Sequence, residues 1–360
     1  MRGRARHHRH RGRDRQRRVQ RDRQARARPS DHLGEADLTG RTRMGVKRPS
    51  TDPGDLYYRD RLAAVAPFDP VAFARTFEHR RARIGGVNLH YVIGGTGPVI
   101  LFGHGWPASW YEWRKVMPML ADRFTCVAFD MPGIGDSSAP PAFDKVTVGD
   151  IIRDFVRDEL DERELFVVGH DVSGPPLAAM AAYNPGLVKR LLFTETSLLD
   201  EEMGPILLAH LNEIWHFPVN AARLSPSFAS GREDQFIPQF FTDWVYNVGA
   251  IGPEDVAEYI RVNKRPGALE CGASYYNARP TPADGGGELP AASLSMPLLF
   301  IGAELGFGGH LGGDERLAFR TIEKYATQAR YEVVDRCSHW VSEDRPVFLA
   351  ERIASFFGEA

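Results

Sequence analysis

The segment Gly169-His170-Asp171-Val172-Ser173-Gly174 comes directly after the apolar run Leu165-Phe166-Val167-Val168. An apolar strand followed by small residues around a polar one is typical of a nucleophile elbow, the sharp strand-to-helix turn that presents an attacking side chain. The segment offers two nucleophiles, Asp171 and Ser173. Residues two places on either side must be small, because larger side chains would collide with the crossing backbone. Gly169 and Ser173 meet this requirement around Asp171, whereas Ser173 would have Asp171 and Pro175 as its neighbours. The pattern therefore favours Asp171, although an aspartate that only caps the following helix would look similar.

Short apolar runs alternate with helical patterns on both sides of this turn. Such alternation predicts an α/β architecture, a mostly parallel sheet with helices on both faces. Strands are predicted at 81–84, 87–93, 98–102, 124–129, 165–168, 188–194, 297–301 and 331–334, and helices at 110–120, 146–160, 176–183, 315–325 and 347–357.

The segment 198–294 interrupts the alternation and is rich in aromatic residues, with a helical pattern. It is too long for a passive loop, so it is expected to be an inserted helical cap over the carboxyl ends of the strands, where ligands bind in parallel sheets. The hydrolase core is then expected at 67–197 and 295–360, and residues 1–66 form a basic extension that is expected to be disordered.

The net charge of −2 conceals a strong asymmetry. Residues 1–30 contain thirteen Arg and two Asp, which gives them about +11 and leaves about −13 for the remainder. A tail of this kind binds nucleic acid or acidic lipid only non-specifically, and it lacks the aromatic residues that stack on bases. Nucleic acid is therefore expected as a partner only through the tail.

The remaining composition is that of an ordinary globular protein, 43% hydrophobic and 26% charged. No apolar run reaches 18 residues, so no membrane span is expected. The three cysteines, Cys126, Cys271 and Cys337, are too few and too far apart for a disulfide framework or a zinc site. We expect a cytoplasmic protein without cofactor or metal, with oligomerisation left open.

Two further motifs occur where a hydrolase of this fold needs them. His104-Gly105-Trp106-Pro107 follows an early strand, so the backbone N–H groups of Trp106 and Val172 are expected to form an oxyanion hole. His339 follows the last strand, in the place of the catalytic histidine. The acid that orients this histidine is either Glu195 or Glu304, since each comes directly after a predicted strand.

Together with Ser109-Trp-Tyr-Glu-Trp113 and Asp130-Met-Pro-Gly-Ile-Gly135, these motifs resemble the α/β-hydrolase-fold epoxide hydrolases from about Pro67 to the C-terminus. Within that family, Trp215-His216-Phe217 is similar to a bacterial subgroup typified by the Cif virulence factor. The resemblance implies that Tyr276 and His216 donate hydrogen bonds to the epoxide oxygen, and it favours Glu195 as the acid. It also implies a reaction in which Asp171 forms an ester with a small hydrophobic epoxide and water activated by His339 releases a vicinal diol.

Other functions remain as alternatives. Haloalkane and fluoroacetate dehalogenases use the same Asp–His pair, but they place a halide-binding Trp or carboxylate-binding arginines just after the nucleophile. This chain has Val172 and Pro175 there, which weakens both dehalogenase interpretations. A third hypothesis is a non-catalytic hydrolase-fold protein whose basic tail binds nucleic acid.

Overall fold

The computed structural model describes residues 68–198, 214–242, 244–247, 249–277, 289–310 and 316–359. The N-terminal extension expected at residues 1–66 lies outside this range. For residues 309 and 310 only the backbone is described.

Eight strands form one sheet in the spatial order β1-β2-β4-β3-β5-β6-β7-β8. The pairs β1–β2 and β2–β4 are antiparallel, and every other neighbouring pair is parallel. The strands are β1 (Phe77–Ile84), β2 (Val87–Gly95), β3 (Val99–Gly103), β4 (Thr125–Phe129), β5 (Leu165–His170), β6 (Val188–Thr194), β7 (Leu298–Ala303) and β8 (Ala329–Val334). The mostly parallel sheet predicted from the sequence is thereby confirmed.

Apolar side chains on both faces of the sheet explain why its central strands are continuously hydrophobic. Successive residues of a strand point to opposite faces. In β5, Leu165 and Val167 belong to one buried cluster, and Phe166 and Val168 belong to the other. A strand covered on both sides has no polar face, which is why the sequence shows apolar runs and no alternation.

The helices of the described residues flank the sheet or lie between β6 and β7. They are α1 (Pro70–Phe73), α2 (Lys145–Asp154), α3 (Gly174–Tyr183), α4 (His216–Ala221), α5 (Ser225–Ala229), α6 (Glu233–Phe236), α7 (Pro238–Thr242), α8 (Pro253–Asn263), α9 (Ala268–Asn277), α10 (Phe307–His310), α11 (Leu317–Glu323), α12 (Val341–Asp344) and α13 (Pro346–Gly358). Helices α4 to α9 fall in the segment for which a cap was predicted.

The helix predicted at 110–120 is wrong. This stretch forms two short 3-10 helices, Trp110–Trp113 and Met117–Met119. Pro118 explains the break, because a proline has no N–H to donate and disfavours helical backbone in the residue before it. The helix predicted at 146–160 is interrupted too, since α2 ends at Asp154 and a π-helical turn, Phe155–Glu159, follows it.

Candidate active site

Asp171 lies on a strained turn between β5 and α3. Its φ is +48°, in the left-handed region that non-glycine residues avoid. The packing on either side requires small residues. A Cβ on Gly169 would lie 2.7 Å from the Phe193 ring, and one on Gly174 would lie 2.1 Å from Thr196 Oγ1. Thr196 Oγ1 also donates to the Asp171 carbonyl at 2.6 Å, which holds the turn from the next strand.

Ser173, the other nucleophile in the motif, is fully buried and is used within the turn itself. Its Oγ accepts the His170 N–H at 3.0 Å and donates to the His170 carbonyl at 2.7 Å. The hydroxyl therefore both accepts from and donates to the backbone of the turn. The side chain that faces a cavity is that of Asp171.

The loop after β3 contacts Asp171 directly. Trp106 N–H donates to Asp171 Oδ2 at 2.9 Å. His104 fixes the start of the loop, because its Nδ1–H donates to the Gly105 carbonyl at 2.7 Å and its Nε2 accepts the Met131 N–H at 2.9 Å. Val172 follows Asp171 in the 3-10 turn Asp171–Ser173 and lines the larger of two cavities at the site.

His339 is buried and faces Glu195. Its Nδ1 lies 3.4 Å from Glu195 Oε2, and the other oxygen of that carboxylate accepts the N–H groups of Ala303 at 2.7 Å and Gly308 at 2.9 Å. Glu304, the alternative acid, is exposed on the surface, where its Oε2 accepts the Arg336 N–H at 2.7 Å. The structure thus brings Glu195 to the histidine and leaves Glu304 away from it.

A buried ion pair that the sequence did not indicate ties the turn to its neighbours. His170 Nδ1 lies 2.9 Å from Glu112 Oε1, in a contact too bent for a good hydrogen bond, and His170 Nε2 donates to the His339 carbonyl at 3.1 Å. Glu112 Oε2 accepts the Gly105 N–H at 2.9 Å. Burial alone would lower the pKa of His170, but the charge of Glu112 outweighs it and raises the pKa to about 8. In the sequence, the position of His170 directly before Asp171 was the feature that could have pointed to a role for this histidine.

The segment between β6 and β7 contributes Tyr276 and His216 to the site. Both line a small cavity of about 20 Å³ together with Asp171, Trp106 and His339. Burial, and then the charge of Asp171, raises the pKa of the Tyr276 hydroxyl well above 10.0. Burial, helped by the nearby His339, lowers the pKa of His216 to about 3, so this ring is neutral at ordinary pH.

A second, larger cavity of about 150 Å³ also reaches Asp171. Asp171 and Tyr276 belong to both cavities, as do two phenylalanines, Phe217 and Phe307. The larger cavity is walled mainly by aromatic and aliphatic side chains, with Lys145 as the cationic residue among those that line it. Such a lining suits a small apolar molecule that reacts at Asp171.

A group of possible metal ligands lies outside these cavities. Ligand atoms of His90, Asp130 and Asp136 lie within 4.8 Å of one another. The protein itself occupies them, since Asp130 accepts the N–H groups of Trp110 and Asp136 and pairs with His90, and Asp136 pairs with Arg261. Along the described ranges, no helix is long and apolar enough to cross a membrane.

Comparisons with known proteins agree with this fold. A family model described as the alpha/beta hydrolase fold matches residues 98–244. A soluble epoxide hydrolase from Corynebacterium sp. (strain C12) is 32% identical over 285 residues, which cover 78% of this chain and 96% of that protein. A fluoroacetate dehalogenase from Burkholderia sp. is 30% identical over 220 residues, or 56% of this chain and 69% of the relative. The crystal structure of the Cif epoxide hydrolase from Acinetobacter nosocomialis superimposes with a TM-score of 0.68 over 81% of this chain and 98% of that one, at 18% identity, which is a likeness of fold.

Proposed function

This chain belongs to the epoxide hydrolases of the α/β-hydrolase fold, and from that premise we propose that it opens an epoxide to a vicinal diol through an ester on Asp171. The observation that carries the proposal is the position of Asp171. It occupies a strained turn, with one oxygen held by the Trp106 N–H, and it faces a cavity shared with His339, Tyr276 and His216.

In the first step, the Asp171 carboxylate attacks a carbon of the epoxide, and the ring oxygen leaves as an alkoxide. Because Oδ2 is held by Trp106 at 2.9 Å, Oδ1 is the oxygen available for attack. An alkoxide is a poor leaving group, so donors placed where its charge develops lower the barrier. We assign this role to Tyr276 and His216.

The protonation states of these two residues support the assignment. The raised pKa of Tyr276 keeps its hydroxyl protonated and able to donate. The lowered pKa of His216 keeps its ring neutral, and a neutral imidazole still carries one N–H. His216 Nδ1 is buried and has no hydrogen-bond partner among the residues that the structure describes, which leaves it available to a bound substrate.

In the second step, His339 removes a proton from water, and the hydroxide attacks the carbonyl carbon of the ester. Glu195, 3.4 Å from Nδ1, stabilises the imidazolium that forms and fixes the tautomer in which Nε2 is the base. The oxyanion that develops on the former Oδ2 stays at the Trp106 N–H, with the Val172 N–H as the second donor. When the oxyanion collapses, the bond from the carbonyl carbon to the ester oxygen breaks, and the departing oxygen takes up the proton held by His339. The diol is released and the Asp171 carboxylate is regenerated, and no cofactor takes part.

The surroundings of the site belong to the same proposal. We assign residues 198–294 as the cap and residues 67–197 and 295–360 as the core. The three cysteines are free thiols, which is consistent with a reducing compartment such as the cytoplasm. The proposed partners are a small hydrophobic epoxide and water.

A dehalogenase with the same Asp–His pair is the second candidate, and the similarity to the fluoroacetate dehalogenase is what favours it. A haloacid needs cations close to the nucleophile for its carboxylate. Among the described residues that line the two cavities, Lys145 is the cation and arginine is absent, while Val172 and Pro175 occupy the places just after Asp171. We therefore place epoxide hydrolysis first.

A single turnover in heavy-oxygen water tests the proposal. With enzyme in excess over a styrene-type oxide, we expect the label in the peptide that contains Asp171, and a first-turnover diol whose new oxygen comes from the protein. Label that appears in the first diol, with none in Asp171, would refute the ester. A parallel assay for halide release from haloalkanes and haloacetates tests the second candidate.

A further inference from the structure

The segment that carries His339 is bonded to the cap through one buried carboxylate. Asp344 Oδ2 accepts the N–H of Tyr246, in the cap, at 2.9 Å, and it also accepts the N–H of Ser338, directly before His339, at 2.9 Å. Asp344 Oδ1 accepts the N–H of Asn247, also in the cap, at 2.8 Å. The side chain is buried, so all three bonds form away from bulk water.

A second bond joins the same two parts of the chain. Trp340 Nε1–H donates to the carbonyl of Phe240, in the cap helix α7, at 2.8 Å. The main chain of His339 is held on its other side by the core, where His170 Nε2 donates to its carbonyl at 3.1 Å. The backbone of the base thus lies between a core contact and a set of cap contacts.

The neighbouring acid, Glu343, provides a natural comparison. It is also buried and also joins cap to core, because it accepts the Tyr259 hydroxyl at 2.8 Å and pairs with Arg114 and with Lys115 at 2.8 Å. None of its contacts reaches residues 337–339 among the bonds described for this carboxylate. The two acids therefore share burial and bridging, but only Asp344 is bonded to the segment that carries the base.

The consequences for the two chemical steps differ. Asp171, Trp106 and Tyr276 act in ring opening, and none of them is bonded to Asp344. His339 acts in ester hydrolysis. Asp344 holds the backbone of Ser338, the residue directly before His339, and so helps to determine where the ring of His339 lies. Displacement of a reacting group by about 1 Å can cost ~10²-fold in rate.

We propose that Asp344 is a positioning residue for His339, which makes the second chemical step depend on the seating of the cap. The inference rests on the proposed ester mechanism. Asp344→Asn places an N–H₂ group against at least one of three backbone donors, so one or more of these bonds is lost. Alkylation should stay within about twofold of the wild type, while ester hydrolysis should slow by ~10-fold or more.

The experiment follows the ester by intact-protein mass spectrometry during single turnovers of the full chain with styrene oxide. We expect the alkyl-enzyme to accumulate in Asp344→Asn, and we expect Glu343→Gln, the matched variant, to form and lose the ester in the wild-type proportion. His339→Gln is the positive control. Trp340→Phe removes one N–H and keeps most of the volume, and it should also slow ester hydrolysis relative to ester formation. This variant decides the question if Asp344→Asn does not fold.

The outcomes separate the inference from its premise. Equal slowing of both steps in Asp344→Asn, or the same accumulation in Glu343→Gln, would overturn the positioning role. An unchanged ratio of ester formation to ester hydrolysis in the Trp340→Phe protein would also overturn the positioning role. If His339→Gln itself never accumulates an ester, the proposed function fails instead.

Discussion

Replacement of Glu195 by Gln tests the most specific contact of the site. Glu195 Oε1 accepts two backbone N–H groups, from Ala303 and Gly308, and Oε2 faces His339 Nδ1 at 3.4 Å. Gln can keep both backbone bonds only with its carbonyl oxygen in the Oε1 position. Its N–H₂ group then points at Nδ1 and favours the tautomer with the proton on Nε2, so the ring cannot accept a proton from water.

The magnitude follows from the lost charge. At 3.4 Å and an effective dielectric of about 20, a carboxylate attracts the imidazolium by about 5 kcal/mol. An amide dipole retains part of this attraction, so a loss of about 3–4 kcal/mol is expected in the transition state of ester hydrolysis. Since about 1.4 kcal/mol corresponds to a factor of ten, hydrolysis should slow by ~10²–10³-fold. Ring opening does not charge His339 and should change little.

Single-turnover kinetics with the Glu195→Gln protein measure the two rates separately, and urea unfolding measures its stability. The free energy of unfolding should fall by no more than about 1 kcal/mol, because both backbone donors keep an acceptor. Glu304→Gln is the matched control, and its turnover should stay within about twofold of the wild type, since Glu304 is exposed and bonded to Arg336. Turnover that survives in Glu195→Gln and is lost in Glu304→Gln would refute the assignment.

Three further predictions concern the nucleophile, the cap donor and the buried histidines. Asp171→Asn should lower diol formation by at least ~10³-fold and give no ester by mass spectrometry. Tyr276→Phe should slow ring opening by ~10²-fold in stopped-flow measurements and leave ester hydrolysis unchanged. The free energy of unfolding, measured in urea at several pH values, should be greatest near pH 6.5. Above this pH, up to about 2 kcal/mol is lost as the pH rises through about 8, because the folded-state pKa of His170 is raised and its stabilisation is complete only below 6.5. Below pH 6.5, His216 contributes a loss of up to about 1.4 kcal/mol per pH unit, because burial lowers its folded-state pKa to about 3 and the unfolded chain takes up the proton first. Burial lowers the pKa values of His79 and His104 too, so His216→Phe should make this lower slope shallower and leave the part that these two histidines contribute.

The sheet and the turn could be predicted because local rules determine them. The strand predicted at 188–194 is β6 without any shift of its ends. The preference for Asp171 over Ser173 needed only the size of the flanking residues. At Gly169 the structure gives a reason for this requirement, because a Cβ there would meet the ring of Phe193. Such steric requirements act within a few residues and are therefore visible in the sequence.

The choice between Glu195 and Glu304 could not be made from the spacing of residues along the chain. Both residues come directly after a strand, so spacing treats them alike. What separates them is the direction of the turn. Glu195 adopts a φ of +49°, which turns its carboxylate toward the N–H groups of Ala303 and Gly308 and toward His339. A glutamate with positive φ has no sequence signature, because the strain is balanced by contacts with residues more than 100 positions away.

The contacts of Glu112 and Asp344 were missed for the same reason, and they explain how the site stays assembled while charge moves through it. In the proposed reaction, negative charge passes from Asp171 to the leaving oxygen and later to the tetrahedral oxyanion, while His339 gains and loses a proton. Two carboxylates are held in place by backbone N–H groups of different loops, Glu112 by that of Gly105 and Asp344 by those of Ser338 and Tyr246. Backbone bonds of this kind hold position without offering a proton, so they can orient the reacting groups without competing in the proton transfers. Loss of either carboxylate should therefore act on the geometry of the reaction and leave its acid–base chemistry in place, which separates these residues from Glu195.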